Sequence, residues 1–402
     1  MHKPIIYSAV RSPRARAKSN GALHSVSPQE LLSQLYRALQ AKSGLDLTKV
    51  EEVILGCVTQ QGEQAANIAR SSVLYANLPE HIPGLTVHRF CSSGLDAIAL
   101  AALKVQTGMM QCTIAGGVEM MSRVPMLSDG ARIFTDADFA KQCRTLLMGS
   151  GADLIASIHE ISRAEADNVA VLSQQRATQS QAQGYFEPSI VPIETADSIA
   201  ETDECIRPDT TMESLAALVP AFAALGASGV DTFQIENNGQ VQEISHIHTP
   251  GNSPAMADAA GLLLIGSPEF TSSLAVKARA QVVASVTAAA DPLQVLTGCI
   301  AATKALLNQT ELSAADIDLF EIHEAFAATS VLAKRELALS DDKLNVNGGV
   351  IALGHPMGAT GAIMAMTLLD ELERRNLRRG VVAAAGAAGS GSAILIDRDI
   401  SA

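Results

Sequence analysis

Leu85-Thr86-Val87-His88-Arg89-Phe90-Cys91-Ser92-Ser93-Gly94-Leu95 is the stretch whose reading decides the fold. Its first three residues suit a short strand, and 88–94 form a sharp connection of small and polar residues. From Leu95 the apolar positions Leu95, Ile98, Ala99, Ala102 and Val105 recur at three- and four-residue spacing, which is helical. A second strand, Cys112 to Ala115, ends in Gly116-Gly117. Cys91 therefore sits where a strand hands over to a helix N-terminus. Free N–H groups and the positive end of the helix dipole favour a thiolate there. The dipole supplies only ~0.3–1 kcal/mol at an exposed site, so an acidic thiol also needs a neighbouring base or imidazolium. The competing reading of this stretch by itself is a buried structural cysteine at a tight turn.

Outward from this unit the chain alternates. A strand at 4–10, a helix at 28–42, a strand at 52–58 and a helix around 65–76 precede it, predicting a parallel or mixed sheet with helix layers. From about 121 to 250 the chain is richer in polar and turn residues, with short helices expected at 153–160, 163–183 and 211–225. Strands resume at 259–265 and 279–289. The second half then repeats the first. Leu45 matches Leu312 and Val53 matches Phe320, a constant offset of 267 residues over this segment. Leu344-Asn345-Val346 corresponds to Leu85-Thr86-Val87, and Val381-Val382-Ala383 before Gly386 echoes Ile114-Ala115 before Gly116. The expected fold is α/β, built from two similar halves: residues 1–120 plus 251–273, and 274–402, with 121–250 an inserted loop domain. Duplication brings equivalent loops to one side, so Cys91 faces the matching loops of the second half.

The 402 residues are 48% hydrophobic, enough for a large core, and the net charge of −13 with no basic run argues against nucleic acid and anionic membrane as partners. The six cysteines (57, 91, 112, 143, 205, 299) show no CxxC pairing, so no metal cluster or disulfide framework is expected and a cytoplasmic setting fits best. The N-terminus lacks the long apolar run of a signal peptide, and the apolar stretch 381–396 is too short and too broken to span a bilayer.

Two histidines lie in the matching loops. His355 sits in a Gly-rich turn, Gly348-Gly349-Val350-Ile351-Ala352-Leu353-Gly354-His355-Pro356-Met357-Gly358, and His323 opens His323-Glu324-Ala325-Phe326 directly after a strand. Either one alone reads more readily as a hydrogen-bonded core or surface residue. Opposite a cysteine loop they offer the Cys–His pairing of acyl-thioester chemistry, in which imidazole takes the thiol proton and the thiolate attacks a carbonyl.

With these motifs the chain resembles the thiolase family of acyl-CoA C-acyltransferases. The resemblance runs nearly end to end, through Phe90–Gly94, Gly116–Ser122, Ser173–Ala177, Arg207–Thr211, the box at 323–326 and Gly349–Gly361. It implies a five-layer α-β-α-β-α core of duplicated βαβαβ halves and a loop domain that binds coenzyme A. It also implies a homodimer or homotetramer, coenzyme A thioesters as substrates and no permanently bound cofactor. The implied reaction is thiolytic cleavage of a 3-ketoacyl-CoA or Claisen condensation of acyl-CoA, within fatty acid metabolism. By resemblance Cys91 carries the acyl group, His355 activates it, and His323 helps hold the thioester oxygen of the second substrate. Met148, Gly251, Asn252, Ser253, Ala325 and Phe326 stand at substrate- or CoA-contacting positions, and the backbone N–H groups of Cys91 and Ala387 form the oxyanion site.

Three departures from the family pattern stand out. Ala385 replaces the second reactive cysteine of the Cys-x-Gly-Gly-Gly run, and Ala325 offers no substitute in the other loop. Loss of a positioned acid/base costs ~10²–10⁴-fold, so a reduced activity is expected unless Ser390, Ser392, a water or His323 takes over. Val219 and Pro254 replace usual CoA contacts, and no Lys or Arg occurs between Arg207 and Lys277, which leaves Lys141, Arg144 or a partner subunit to meet the phosphates. Ala387 stands where the family prefers Gly, and would be strained if φ there were positive. The alternatives are decarboxylative condensation by a Cys-His-His set like that of the β-ketoacyl synthases, or an acyl-binding subunit that has lost the reaction.

Overall fold

The computed structural model describes residues 2–400. The first half contributes β1 (Ile5–Arg11), β2 (Glu52–Gly56), β3 (Gly84–Val87), β4 (Cys112–Met120) and β5 (Ala257–Gly266). They lie in the order β1-β5-β4-β2-β3, with β4, β2 and β3 mutually parallel and β5 antiparallel to both β4 and β1. The second half contributes β6 (Ala280–Ala289), β7 (Leu319–Ile322), β8 (Arg379–Ala385) and β9 (Ser390–Asp397). Their order is β6-β9-β8-β7, with the same directions at each matching step. The duplication read from the sequence is thus a duplication of topology. The two half-sheets join along a narrow seam where Ile5 pairs with Gln281 and Ile6 with Ala280 of β6.

The expected strand at 344–346 shrinks to a single bridge, Phe320 to Leu344. Asn345 is the reason. Its φ is 46°, and its side chain accepts from Ile322 N–H at 2.8 Å and donates to Ile322 C=O at 2.9 Å. The amide takes the place of the backbone ladder, so the strand is not continued.

The helices are α1 (Pro28–Ser43), α2 (Ile68–Tyr75), α3 (Ser93–Gln106), α4 (Met148–Ile158), α5 (Arg163–Ala182), α6 (Asp231–Asn238), α7 (Gly298–Gln309), α8 (Ala327–Glu336) and α9 (Met357–Arg374), with shorter turns between them. Side-chain alternation assigns the layers. From β1, Ile5, Tyr7 and Val10 pack with Leu31, Leu35 and Leu39 of α1, while Ile6 and Ala9 point to the opposite face. From β8, Val381 and Ala383 pack with Cys299 and Leu306 of α7, while Val382 and Ala384 face inward. The inward faces of both half-sheets close on α3 and α9, whose residues from Met357 to Leu372 are all buried. The result is α1–α2, half-sheet, α3–α9, half-sheet, α7–α8. A helix apolar on every side is what this central layer needs.

α3 and α9 meet at their N-terminal ends because the contact is glycine. A Cβ on Gly94 would stand 2.6 Å from the Gly358 carbonyl oxygen, and one on Gly361 would stand 2.7 Å from Leu95 Cβ. The region after β4 is mainly helical, with a two-residue ladder at 193–194 and 199–200. The single helix expected at 211–225 is two short pieces, Met212–Ala216 and Ala223–Leu225, interrupted around Pro220, which cannot donate to the helix ladder. No helix among the described residues is long and apolar enough to cross a membrane.

Candidate active site

Cys91 and His355, 264 residues apart, meet at the N-terminal ends of the two central helices. Cys91 Sγ lies 3.1 Å from His355 Nε2. Each is aimed by the residue before it. Phe90 has φ 49° and Gly354 has φ 91°, so both loops bend through the left-handed region just ahead of the reactive side chain. Ser92 Oγ donates to Ala384 C=O at 2.8 Å and ties the cysteine loop to the second half. His355 Nδ1 contacts Thr360 Oγ1 at 2.8 Å, and its backbone N–H donates to Ala255 C=O at 2.8 Å. With Nε2 free to accept the thiol proton, Nδ1–H is the donor to Thr360.

The resting charge state is neutral. Burial, with a further push from the Glu119 charge, raises the Cys91 thiol to about 12. Burial also holds His355 well below the ordinary imidazole value, and the proximity of His323 and Arg14 lowers it further. The dipole reasoning that favoured a thiolate is outweighed by desolvation, since an exposed-site dipole of ~0.3–1 kcal/mol is the smaller effect. The arrangement is a thiol hydrogen-bonded to a neutral imidazole.

His323 follows β7, anchored by its N–H to Ala383 C=O at 2.9 Å. Its ring centroid lies 4.5 Å from that of His355, tilted by 41°. It is 1% exposed, and neither ring nitrogen has a hydrogen-bond partner among the described residues. Burial lowers it to about 4; the nearby Ala385 backbone favours the charged form but lies outside hydrogen-bond geometry.

Glu119 lies at the centre of this region, and motif reasoning singled it out only as part of a run. Its buried carboxylate accepts from the N–H groups of Val58 (2.9 Å), Thr59 (3.0 Å) and Gly358 (2.9 Å) and from Gln64 Nε2 (2.8 Å). It thereby caps α9 beside His355. Burial raises its pKa against these donors. Thr360 and Glu119 were both missed as site residues; the sequence cues were Thr360's place five residues after His355 at a helix start and Glu119's place in the Gly116–Ser122 run.

The remaining expected positions are distributed as follows. Met148, at the start of α4, and Phe326 pack with Phe90 against one buried cluster that contains Ala325, Ala385 and Ala387. Phe326 also meets the rings of Phe222 (5.9 Å) and His248 (5.4 Å). Gly251 is buried beneath Leu215 and Leu218. Asn252 is fully buried: its amide donates to Asp167 Oδ1 (2.8 Å) and Ile247 C=O (3.1 Å) and accepts from Thr249 N–H, while its carbonyl accepts from Ala327 N–H. It builds the loop rather than offering a free polar group. The Ser253 hydroxyl is buried and unpartnered, and the same loop reaches His355 through Ala255.

Ala387 is buried and free of the strain considered for it. The positive φ falls instead on Ala388 (55°) and Gly389 (74°). The turn abuts the cysteine loop, since a Cβ on Gly386 would come 2.9 Å from the Arg89 carbonyl. Among the described residues, neither Cys91 N–H nor Ala387 N–H donates a hydrogen bond to another residue. The hydroxyls considered as stand-ins for the absent cysteine are engaged: Ser390 Oγ donates to Ala387 C=O at 2.8 Å and Ser392 Oγ to Asp96 at 2.5 Å. Of the two candidate cations, Arg144 pairs with Asp291 at 3.3 Å, while Lys141 makes no ion pair among the described residues. Lys141 lines a cavity of about 340 Å³ with Phe134, Leu146 and Leu147, and Phe134 meets the Phe90 ring at 6.0 Å.

The family model of the thiolase N-terminal domain matches residues 5–231, and that of the thiolase C-terminal domain matches 276–398. The chain belongs to the thiolase family. A 3-ketoacyl-CoA thiolase from Serratia proteamaculans is 37% identical over 99% of this chain and 100% of its own length. A beta-ketoadipyl-CoA thiolase from Pseudomonas aeruginosa is 36% identical over 98% of each. The crystal structure of the Bacillus anthracis acetyl-CoA acetyltransferase superposes with a TM-score of 0.85, covering 99% of both chains at 34% identity. The duplicated halves are thus those of the thiolase fold, and this thiolase is an acyltransferase of the C-acyltransferase type.

Proposed function

We propose that Cys91 is the acyl carrier of this thiolase and His355 its general base. The observation that carries this is the 3.1 Å contact between Sγ and Nε2, with Nδ1 held by Thr360. As Sγ attacks the thioester carbonyl of an acyl-CoA, its proton passes to Nε2. The two unengaged N–H groups, Cys91 and Ala387, receive the oxyanion; a donor of this kind is worth ~10²–10³-fold. His355 then returns the proton to the leaving coenzyme A sulfur. His323 donates to the thioester oxygen of the second substrate.

In this reading residues 121–250 hold coenzyme A together with the 251–253 loop, Met148, Ala325 and Phe326. Lys141 meets a phosphate, because among the described residues it makes no ion pair and it lines a cavity whose Phe134 packs edge-on against Phe90. The thioester is the only cofactor-like molecule the reaction needs. The half-buried edge strand β3, paired among the described residues with β2 alone, supports assembly into a homodimer or homotetramer. Six unpaired cysteines fit a cytoplasmic protein.

Intact-protein mass spectrometry after mixing with acetyl-CoA tests the nucleophile, with Cys91→Ala as control. An acetyl adduct confined to the wild type is expected; an adduct of equal size on the variant sinks the assignment. For coenzyme A, Lys141→Ala should raise KM several-fold with little change in kcat, and an unchanged KM refutes the phosphate contact.

A further inference from the structure

Condensation onto an acylated Cys91 needs a carbon nucleophile, and there are two ways to make one. A positioned base removes a proton from the α-carbon, or the bond from the α-carbon to a carboxylate breaks. We infer that the second substrate of this thiolase is a malonyl-type thioester, whose carbanion forms by loss of CO2. The inference rests on Cys91 being the acyl carrier.

The inventory of groups near the two loops leaves the first route without a base. Ala385 and Ala325 have none to give. Ser390 and Ser392 are engaged by Ala387 and Asp96. Glu119 is held by four N–H donors, and Glu324 accepts from Ser173 Oγ (2.9 Å), Ile351 N–H (3.1 Å) and Asn345 Nδ2 (3.3 Å). Cys57 and Cys299 are buried in the core clusters, and Cys205 is buried against the Gly354 backbone, where burial lifts its thiol to about 12. His355 is committed to Cys91.

His323 remains, and its surroundings suit a donor rather than a base. The ring is enclosed, has no partner at either nitrogen, and sits 4.5 Å from the His355 ring. Among the described residues no carboxylate hydrogen-bonds to it to stabilise an imidazolium. Burial keeps it neutral, and a neutral imidazole with lowered basicity polarises a carbonyl through its N–H instead of abstracting a proton. A general base is most effective with its pKa near the working pH. Decarboxylation asks only for a donor to the enolate oxygen, and an unpartnered buried N–H is that donor.

The step balances without a further reactant. The carboxylate carbon–α-carbon bond breaks, CO2 leaves, and the electron pair passes into the enolate. The α-carbon attacks the acyl carbonyl, a carbon–carbon bond forms, and the tetrahedral intermediate expels Cys91 as thiolate, which takes up one proton. Overall, acyl-CoA, malonyl-CoA and a proton give 3-ketoacyl-CoA, CO2 and coenzyme A.

The test starts from acetylated wild-type enzyme, chased separately with carboxyl-labelled malonyl-CoA and with acetyl-CoA. Release of CO2 equal to the 3-ketoacyl-CoA formed is expected, at least ~10²-fold faster than condensation with acetyl-CoA. Incubated with acetyl-CoA in D2O, the enzyme should leave the methyl protons unexchanged. Ala385→Cys should raise the acetyl-CoA rate by ~10²–10⁴-fold and switch on that exchange. Methyl exchange by wild type, equal rates with both acceptors, or an acetylated enzyme that releases no CO2 from malonyl-CoA each overturn the inference. Absence of any acetyl adduct overturns the Cys91 assignment instead.

Discussion

Thr360 decides which nitrogen of His355 faces the thiol. Replacing it by Val keeps the shape and removes the Nδ1 partner, so the acylation rate should fall by about 1 kcal/mol of orientation, roughly fivefold; stopped-flow acylation at saturating acetyl-CoA reads this. His355→Ala should cost ~10²–10⁴-fold in the same assay. Because the imidazole stays neutral to well below its ordinary value and the thiol titrates near 12, acylation should be flat from about pH 6.5 to 9. A sigmoid with its midpoint in that window would instead report a thiolate–imidazolium pair. Ala388, at φ 55°, is an L-residue in a backbone region that costs roughly 1–2 kcal/mol. Ala388→Gly should therefore raise stability by about 1 kcal/mol in chemical denaturation. The reactive pair was legible because Cys and His stood at repeated positions. Thr360 and Glu119 were not, since a single hydroxyl in a helix or carboxylate in a strand signals nothing until the fold shows what it bonds.

At the scale of elements, the two central helices owe their contact to missing side chains. Gly94→Ala puts a methyl 2.6 Å from a backbone oxygen that cannot move alone. Overpacking of this kind costs ~1–3 kcal/mol, and the shift should also part Cys91 from His355. Loss of both thermal stability and acyl adduct is expected; a stable, fully acylating variant would refute the close-approach argument. α6 is fastened differently. His246 Nδ1 lies 2.8 Å from Asp153 and Nε2 3.0 Å from Asp231 at the start of α6. Burial opposes the charge, but the two carboxylates win and raise the pKa. A raised histidine contributes stability that is full below its unfolded value near 6.5 and lost as pH rises through the folded value. The stability gap between wild type and His246→Gln should accordingly be largest at about pH 6 and shrink towards alkaline pH; a gap that widens would contradict the ion pair. Strands and long helices were readable from apolar periodicity. The pattern failed where one residue overrode it, at Asn345, whose amide mimics a strand partner, and at Pro220, which interrupts a helix.

On the scale of the molecule, the repeat at 267 residues was visible because each half needs the same strand–helix alternation to bury the same faces. The layering was not visible from periodicity, because a helix apolar all round and a buried strand give similar composition; α9 shows its place only once both half-sheets close on it. The seam between the halves is harder still to read. β1 is the first strand of the chain, yet its ladder partners are β5, beginning at Ala257, and β6, beginning at Ala280. During synthesis at ~5–20 residues per second, β1 therefore waits on the order of tens of seconds for its ladder partners, with a single bridge from Arg11 to Ile190 before them. Throughout that time the ribosome displays an apolar segment, Ile5 to Val10, with both edges open. Nascent chains halted before residue 257 should recruit trigger-type holding chaperones to their first dozen residues, and chains halted past residue 290 should release them.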